Sequence, residues 1–331
     1  MDLHVHLVGS ASPDTIRTLR RRHADRDVCT DPPVTLGDSP LFTDFRHFVE
    51  VYTAVSRLVT NGSDITELVF GLAADLAASN VRYAEVTVTP MAHLAAGIDA
   101  EELVEALAIG RRRAAEEHSV ELSWVFDISG DLGPLSGLDT ARWVLTHQPD
   151  GTIGFGLGGP EIGVARGQFR EAFGLARAAG LHSVPHAGET TGPEEVWVAL
   201  RALGAERIGH GIRSVHDQRL LSHLAEHGIS LEVCLTSNLC TRAVADLAAH
   251  PLPDLLASGV PVSLGTDDPG MFRTNLNREY LICHEVFGAS PGELTDIAKA
   301  GVRAAFCSAE SRRALLDGID VAARRAVTTG W

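Results

Sequence analysis

Lysine is almost absent from this chain of 331 residues, because Lys299 is the only one and arginine supplies nearly all of the positive charge. Acidic side chains outnumber basic ones, and the formal net charge is −15. A strongly acidic surface repels phosphate backbones and anionic lipid headgroups. We therefore expect neither nucleic acid nor a membrane as a partner.

Cysteines are also few, and their number, five, is odd. No two of them form a C-x-x-C pair, which disfavours a disulfide framework and a cysteine zinc site and fits a reducing compartment. No apolar run approaches the length of a membrane span. Asp2, His4 and His6 interrupt the first residues, and this is unlike a signal peptide. We expect a protein of the cytoplasm.

Short, β-branched apolar runs alternate with longer segments whose apolar residues recur at helical spacing. Eight runs have the character of strands: 3–7, 81–87, 121–127, 152–157, 182–186, 207–209, 230–235 and 261–265. Gly180, Gly228 and Gly259 stand just past three helical segments, where glycine often ends a helix. The alternation predicts an α/β fold of the (β/α)8 barrel type.

A doubly wound open sheet would also alternate strands with helices, but it normally has fewer strands and a glycine-rich phosphate turn. No G-x-G-x-x-G follows the first strand. No repeat or low-complexity linker divides the chain, so we predict one domain over 1–331. The first connection, about 9–80, is long enough for a helical lid with a helix near 42–58. Helices at about 290–325 are expected after the last strand.

Histidines and carboxylates stand at the ends of the predicted strands. Two histidines lie two positions apart on the first strand and so point to one face. The others end the fifth, sixth and eighth strands, and barrel enzymes keep their active sites at these C-terminal ends. The set is His4, His6, His186, His210, Asp267 and Asp268. Such residues suit one zinc-like ion, and Glu189 adds a proton-transfer group near it.

These residues also allow two other interpretations. A binuclear barrel hydrolase often has a carboxylated lysine on a middle strand, but Lys299 falls in a helix after the eighth strand, so a single metal is predicted. A barrel that only binds metal has no need of an acid such as Glu189, three residues past His186. Other histidines are interpreted as solvated surface groups, among them His23, His118, His147, His223 and His250.

The motifs now suggest a family. In chain order they are H-V-H-L-V-G-S from 4, L-G-G-P-E at 157–161, H-A-G-E at 186–189, R-I-G-H-G at 207–211, L-E-V-C-L-T-S-N at 231–238 and G-T-D-D-P at 265–269. Over essentially its whole length the chain resembles the adenosine deaminase family of mononuclear zinc barrels.

The resemblance implies a purine nucleoside as the small-molecule substrate and one Zn²⁺ per chain, with the ligands His4, His6, His186 and Asp267. It implies that His210 and Asp268 orient and deprotonate the attacking water. Glu189 would donate to the purine N1, and the backbone N–H of Gly159 would bond N3. Hydroxide would then attack C6, and ammonia would leave. The pattern leaves the oligomeric state open.

Three positions depart from the family pattern. Met1 directly precedes the first strand, where members usually carry further residues, so we expect a start upstream or a missing covering helix. Leu235 replaces the proline of C-P-T-S-N, and this needs only a small backbone adjustment. Val8 stands where adenosine deaminases carry an aspartate that holds the ribose 5′-hydroxyl.

Valine cannot accept that hydrogen bond, and an apolar extension at the 5′ carbon is therefore expected. With L-V-G-S-A-S-P at 7–13 and G-L-G-G-P-E-I-G-V-A at 156–165, the chain resembles the actinobacterial branch that converts 6-amino-6-deoxyfutalosine, a menaquinone precursor, to futalosine. Phe45 and Phe48, with Phe42, would stack on the aryl group of that substrate or form ordinary lid core. Adenosine or 2′-deoxyadenosine is the alternative substrate.

Overall fold

The computed structural model describes residues 1–23 and 42–329, with side chains to 325. Its centre is a sheet of eight parallel strands that neighbour one another in chain order. The strands are β1 (Asp2–His6), β2 (Tyr83–Val88), β3 (Glu121–Ser129), β4 (Thr152–Gly158), β5 (His182–Ala187), β6 (Arg207–His210), β7 (Ser230–Val233) and β8 (Val262–Leu264). This order confirms the predicted (β/α)8 barrel.

The barrel closes where β1 meets the chain just past β8. Val5 pairs there with Asp267 in parallel register. The His6 N–H donates to the carbonyl of Asp267 at 2.8 Å, and the Asp267 N–H donates to the carbonyl of His4 at 2.8 Å. Backbone hydrogen bonds therefore join the two ends of the sheet at the level of the predicted site residues.

Helices surround the strands and occupy their connections. They are α1 (Pro13–Arg22), α2 (Phe45–Ser56), α3 (Gly62–Ala78), α4 (Pro90–Ala95), α5 (Ala100–His118), α6 (Gly133–His147), α7 (Arg170–Ala178), α8 (Pro193–Val198), α9 (Gln218–His227), α10 (Leu235–Cys240), α11 (Leu252–Ala257), α12 (Pro269–Phe272), α13 (Leu276–Phe287), α14 (Pro291–Ala304) and α15 (Ala309–Thr329). Among the described residues, none of these helices has the length and apolar character needed to cross a bilayer.

The first connection carries α1, α2 and α3. The helix expected near 42–58 is α2, and it begins after Asp44, whose carboxylate accepts the His47 N–H at 2.9 Å. Such a cap satisfies one of the backbone donors left free at a helix start. At the other end of the chain, α14 and α15 follow β8. The seventh strand is shorter than predicted, because Leu235 already begins α10.

A buried ion network lies inside the barrel. Arg207, at the start of β6, is 1% exposed and donates to Glu85 of β2 and, at 2.6 Å, to Oε1 of Glu232 on β7. Its third contact is the carbonyl of Ala304 at 2.9 Å. Buried charges are tolerated when they are paired and hydrogen-bonded, as they are here. The other carboxylate oxygen of Glu232, Oε2, contacts His4 of β1 and so connects this network to the first strand.

Candidate metal-dependent active site

Five side chains from four parts of the barrel converge above the strand ends. Nε2 of His4 lies 2.9 Å from Nε2 of His186, and Nε2 of His6 lies 3.3 Å from the same atom. Asp267 Oδ1 is 3.3 Å from His6 Nε2 and 3.5 Å from His4 Nε2. Ligand atoms of His4, His186, His210 and Asp267 all lie within 4.8 Å of one another.

The partners of two of these rings determine which nitrogen faces the centre. His186 Nδ1 lies 2.7 Å from the carbonyl oxygen of Leu157, and His4 Nδ1 lies 2.9 Å from Oε2 of Glu232. Both oxygens accept, so both Nδ1 atoms carry the proton. Nε2 of His4 and Nε2 of His186 face each other at 2.9 Å. Burial would lower the pKa of His4, but its hydrogen bonds with Asp267 and Glu232 raise it to about 10, so this position favours a positive charge. A metal cation can supply that charge in place of the His4 Nε2 proton, and the residues present fit one.

The charges of the cluster suit a divalent cation as well. Burial, followed by the neighbouring rings of His4, His6 and His210, holds the pKa of His186 well below its usual value, so this imidazole is neutral. Burial alone would raise the pKa of Asp267, but its hydrogen bond with His4 and the nearby histidines lower it well below the usual value. Neutral imidazoles with one ionised carboxylate are zinc ligands in proteins.

The backbone is adapted to this crowding. His186 of β5 pairs with Gly209 of β6, and a Cβ on Gly209 would lie 2.9 Å from Cε1 of His4 and 3.0 Å from Cδ2 of His186. The missing side chain therefore lets two imidazoles share one site. Asp267 and His210 both have a φ of +61°, which is uncommon for residues with a side chain. Strained backbone of this kind tends to gather at functional sites.

Glu189 lies beside the histidines and is 6% exposed. Burial, then the charges of Asp267 and Glu161, raise its pKa to about 8, although Thr241 Oγ1 donates to Oε1 at 3.1 Å. The loop of Glu189 is held by Glu161, which accepts its N–H at 3.1 Å and the N–H of Thr190 at 2.7 Å. A carboxyl group that is protonated at neutral pH can act as a general acid.

Asp268 is 3% exposed, and its Oδ1 has no hydrogen-bond partner within the described part of the chain. Burial, then the charge of Asp267, raise its pKa well above the usual value. An unpaired buried carboxylate oxygen needs a partner, because desolvation without a hydrogen bond is costly. A water or a substrate atom beside Asp267 would supply one.

A cavity of about 440 Å³ opens above these groups. Val8, Phe45, Phe48 and Tyr52 give it an apolar wall, and Gly159, with a φ of +75°, lines it on the opposite connection after β4. The described residues that line it also include His6, His186, Glu189, His210, Asp267 and Asp268. The structure thus brings every predicted site residue to the surface of one cavity, except His4, which is buried.

The three phenylalanines expected in the lid occupy different places. Phe45 and Phe48 line the cavity, whereas Phe42 is not among its described lining residues. Phe42 packs edge-on against Phe48 at a centroid distance of 5.4 Å and against Phe272 at 6.0 Å. Phe48 therefore has one face on the apolar core and can offer another to a ligand.

The expectation of a solvated surface position was wrong for two of the five histidines. His23 and His250 are not solvated surface groups, because they are 5% and 3% exposed. His23 Nε2 is 2.8 Å from Asp64 Oδ2, and His250 Nε2 is 3.2 Å from Asn238 Oδ1. The partners stand elsewhere in the chain, so the sequence around each histidine gave no sign of its burial.

Three buried polar residues of the site were not singled out from the sequence: Glu161, Glu232 and Asn238. Each lies inside one of the motifs by which the chain resembles the family, and this position is the sequence signal that could have identified it as a site residue. Their contacts run to residues on other strands, such as Glu232 to His4. Asn238 lies between His210 and His250, with Nδ2 3.2 Å from His210 Nδ1.

Residues 1–322 match the family described as adenosine deaminase. The chain belongs to the adenosine deaminase family. It is 49% identical over 321 residues to the aminodeoxyfutalosine deaminase of Streptomyces coelicolor, covering 96% of this chain and 83% of that one. The same-named enzyme of Streptomyces avermitilis is 47% identical, with 96% and 89% covered.

A solved structure agrees with these sequence relatives. The crystal structure of adenine deaminase from Arthrobacter aurescens superposes with a TM-score of 0.92 at 29% identity, covering 98% of each chain. Family membership confirms the expected class of chemistry. The protein is a metal-dependent aminohydrolase that acts on a cyclic amidine.

Glu232 is expected to support metal binding without touching the metal. In this deaminase-family site, Glu232→Gln removes the charged acceptor of the His4 Nδ1–H. Carboxylates in this position orient a ligand ring and raise its basicity, and their loss typically weakens metal binding about 10- to 100-fold. Competition with a zinc chelator, followed by metal analysis, measures the change in affinity.

The matched control is Asp64→Asn. It alters another buried carboxylate–histidine contact of similar length, 2.8 Å to His23, outside the cavity. Both variants should be compared by the thermal midpoint of the metal-free protein. Equal zinc affinity in Glu232→Gln and the native chain would refute the role given to Glu232.

Proposed function

We propose that this protein hydrolyses 6-amino-6-deoxyfutalosine to futalosine and ammonia in the cytoplasm, as a step toward menaquinone. The observation that supports this substrate most directly is Val8, which is 5% exposed and lines the cavity where an aspartate would serve a 5′-hydroxyl. The two curated relatives at 49% and 47% identity carry the name of this activity.

We assign one Zn²⁺ per chain to the ligands His4, His6, His186 and Asp267, which meet as described above. A zinc ion bound there supplies Lewis acidity, which makes water nucleophilic near neutral pH. A cation at these ligands would favour the ionised form of Asp268, whose unpaired Oδ1 then accepts the proton of the attacking water. His210 donates a hydrogen bond from Nε2 and orients that water.

Glu189 acts as the acid on the purine. Because its pKa is raised to about 8, it carries a proton at neutral pH and can give it to the ring N1. Protonation at N1 draws electrons from C6, and water adds there while Asp268 takes one of its protons. Asp268 then passes that proton to the amino group, which leaves as ammonia. The remaining hydroxyl proton restores Glu189 as the C6 carbonyl forms. The N–H of Gly159 bonds N3, since a residue without a side chain allows the purine to approach the backbone closely.

The first connection completes the site as a lid. Six residues of α2 line the cavity at helical spacing: Phe45, Phe48, Val49, Tyr52, Thr53 and Ser56. This face offers the aryl group of the substrate an aromatic wall. Arg57, at the end of α2, is the only arginine among the described lining residues and has the charge that a carboxylate on the 5′ side requires.

The first test is a side-by-side measurement of kcat/KM on aminodeoxyfutalosine, adenosine, 2′-deoxyadenosine and adenine, with one zinc-loaded preparation. We expect aminodeoxyfutalosine to be preferred at least about 100-fold, because a missing apolar group in a pocket is worth roughly 10- to 200-fold. A preference for adenosine would assign the protein to purine salvage. If the protein binds zinc but changes the ultraviolet absorbance of none of these substrates, it is a metal-binding barrel without deaminase activity.

The second test concerns Val8. Val8→Asp restores an acceptor for a ribose 5′-hydroxyl and should raise kcat/KM on adenosine about tenfold while it lowers turnover of aminodeoxyfutalosine. Val8→Ala is the control, since it enlarges the cavity without adding an acceptor. If Val8→Asp gives no gain on adenosine, the 5′ pocket is determined by other residues.

The third test follows the pKa of Glu189. The protonated acid predominates below pH 8 and is lost as the pH rises through about 8, so kcat/KM should fall about tenfold per pH unit above that value. Glu189→Gln should lower kcat by a factor of about 10² to 10⁴ and abolish the fall of kcat/KM at alkaline pH.

Glu194→Gln is the control for Glu189→Gln, because Glu194 follows in the same segment but is exposed and does not line the cavity. A native rate that stays level to pH 10, or a Glu189→Gln variant that retains full kcat, would remove Glu189 from the role of acid.

A further inference from the structure

His250 lies outside the cavity, directly before the helix α11. Its ring is 3% exposed, and its Nδ1 accepts the backbone N–H of Leu252 at 3.0 Å. A backbone N–H can only donate, so Nδ1 carries no proton. Burial, then the charge of His210, lower the pKa of His250 to about 4, and the ring is neutral at neutral pH. Its single ring proton is therefore on Nε2.

That proton orients the next residue. His250 Nε2 is 3.2 Å from Oδ1 of Asn238, which must accept the N–H. The amide nitrogen of Asn238 then points the other way, 3.2 Å from Nδ1 of His210 and 3.4 Å from Oε1 of Glu189. Asn238 is 0% exposed, so water does not compete for these contacts.

An amide nitrogen only donates, so Nδ1 of His210 must be the acceptor. A ring whose Nδ1 accepts a hydrogen bond carries its single proton on Nε2. That nitrogen faces the cavity, 3.8 Å from Oε2 of Glu189 and 3.8 Å from Oδ2 of Asp267. His4 and His186 have the opposite arrangement, with Nδ1 protonated.

We propose that His250 is a positioning residue that acts through Asn238 to hold His210 in its Nε2–H tautomer. In that tautomer His210 offers the cavity a hydrogen-bond donor in place of a metal-binding lone pair. His210 is thereby kept out of the ligand set although it lies within reach of it. The catalytic consequence, orientation of the attacking water, rests on the function proposed above, whereas the tautomer itself does not.

The direct test is two-bond ¹H–¹⁵N correlation spectroscopy of the histidine rings in the full zinc-loaded protein, with His210 assigned from His210→Gln. We expect the Nε2–H pattern for His210 in the native protein. In His250→Phe, which keeps an aromatic ring but has no nitrogen, Asn238 is released, and His210 should show a mixture of tautomers or the Nδ1–H pattern.

His250→Gln serves as the conservative variant, because its side-chain N–H can still donate to Asn238 Oδ1. It should keep the Nε2–H pattern and kcat within about threefold of the native value. His250→Phe should lose about 10- to 100-fold in kcat, the usual cost of removing a residue that orients a site group, with KM and zinc content unchanged. His23→Phe, at another buried histidine far from the cavity, controls for lost stability.

Two results would overturn the proposal. One is an Nδ1–H pattern for His210 in the native protein. The other is a His250→Phe variant in which the Nε2–H pattern persists, whether kcat is retained or falls only as far as in His23→Phe. Absence of deaminase activity on every substrate would contradict the proposed function but leave the tautomer measurement decisive.

Discussion

The closure of the barrel between β1 and the chain after β8 is the constraint on which the site depends. Val5 pairs with Asp267 there, and the flanking hydrogen bonds involve the backbones of His4 and His6. Because neighbouring strands are parallel, their C-terminal ends form one rim, and closure makes the first and last strands neighbours. Without this seam, Asp267 would not lie opposite the histidines of β1.

The backbone pairing of β1 with the chain after β8 would not by itself orient the side chains. His4 is oriented by Glu232, which is held by Arg207, which is held in turn by Glu85. Each charge in this series is nearly inaccessible to water, and removing one would leave its partner buried and unpaired. An apolar core of the same shape would cost less desolvation, so the network is better explained by the geometry it imposes on His4 than by stability.

The order of the strands and the residues at their C-terminal ends can be predicted from the sequence, because both depend on local patterns of apolar and polar residues. Apolar runs predicted the strands, and His186 and Asp267 were recognised because they stand at strand ends. Local patterns do not predict which buried polar residues contact one another. His250 and Asn238 are twelve positions apart, and only the path of the folded chain between α10 and α11 makes them neighbours.

The first connection illustrates the same limit. Three phenylalanines at Phe42, Phe45 and Phe48 look alike in the sequence, yet Phe42 packs against Phe272 while the other two line the cavity. Apolar spacing predicts that a helix has a buried face, but it does not say whether that face meets core or ligand. That distinction requires the position of α2 relative to the rim.

Identical imidazole side chains thus acquire different functions, because each function depends on the atom that Nδ1 contacts. A carbonyl at Leu157 and a carboxylate at Glu232 accept from Nδ1 and release the Nε2 lone pairs of His186 and His4 toward a metal. The amide of Asn238 donates to Nδ1 of His210 and leaves a proton on the nitrogen that faces the cavity. A site crowded with four imidazoles would otherwise have several ways to bind an ion, and the hydrogen bonds behind three of the rings reduce their number.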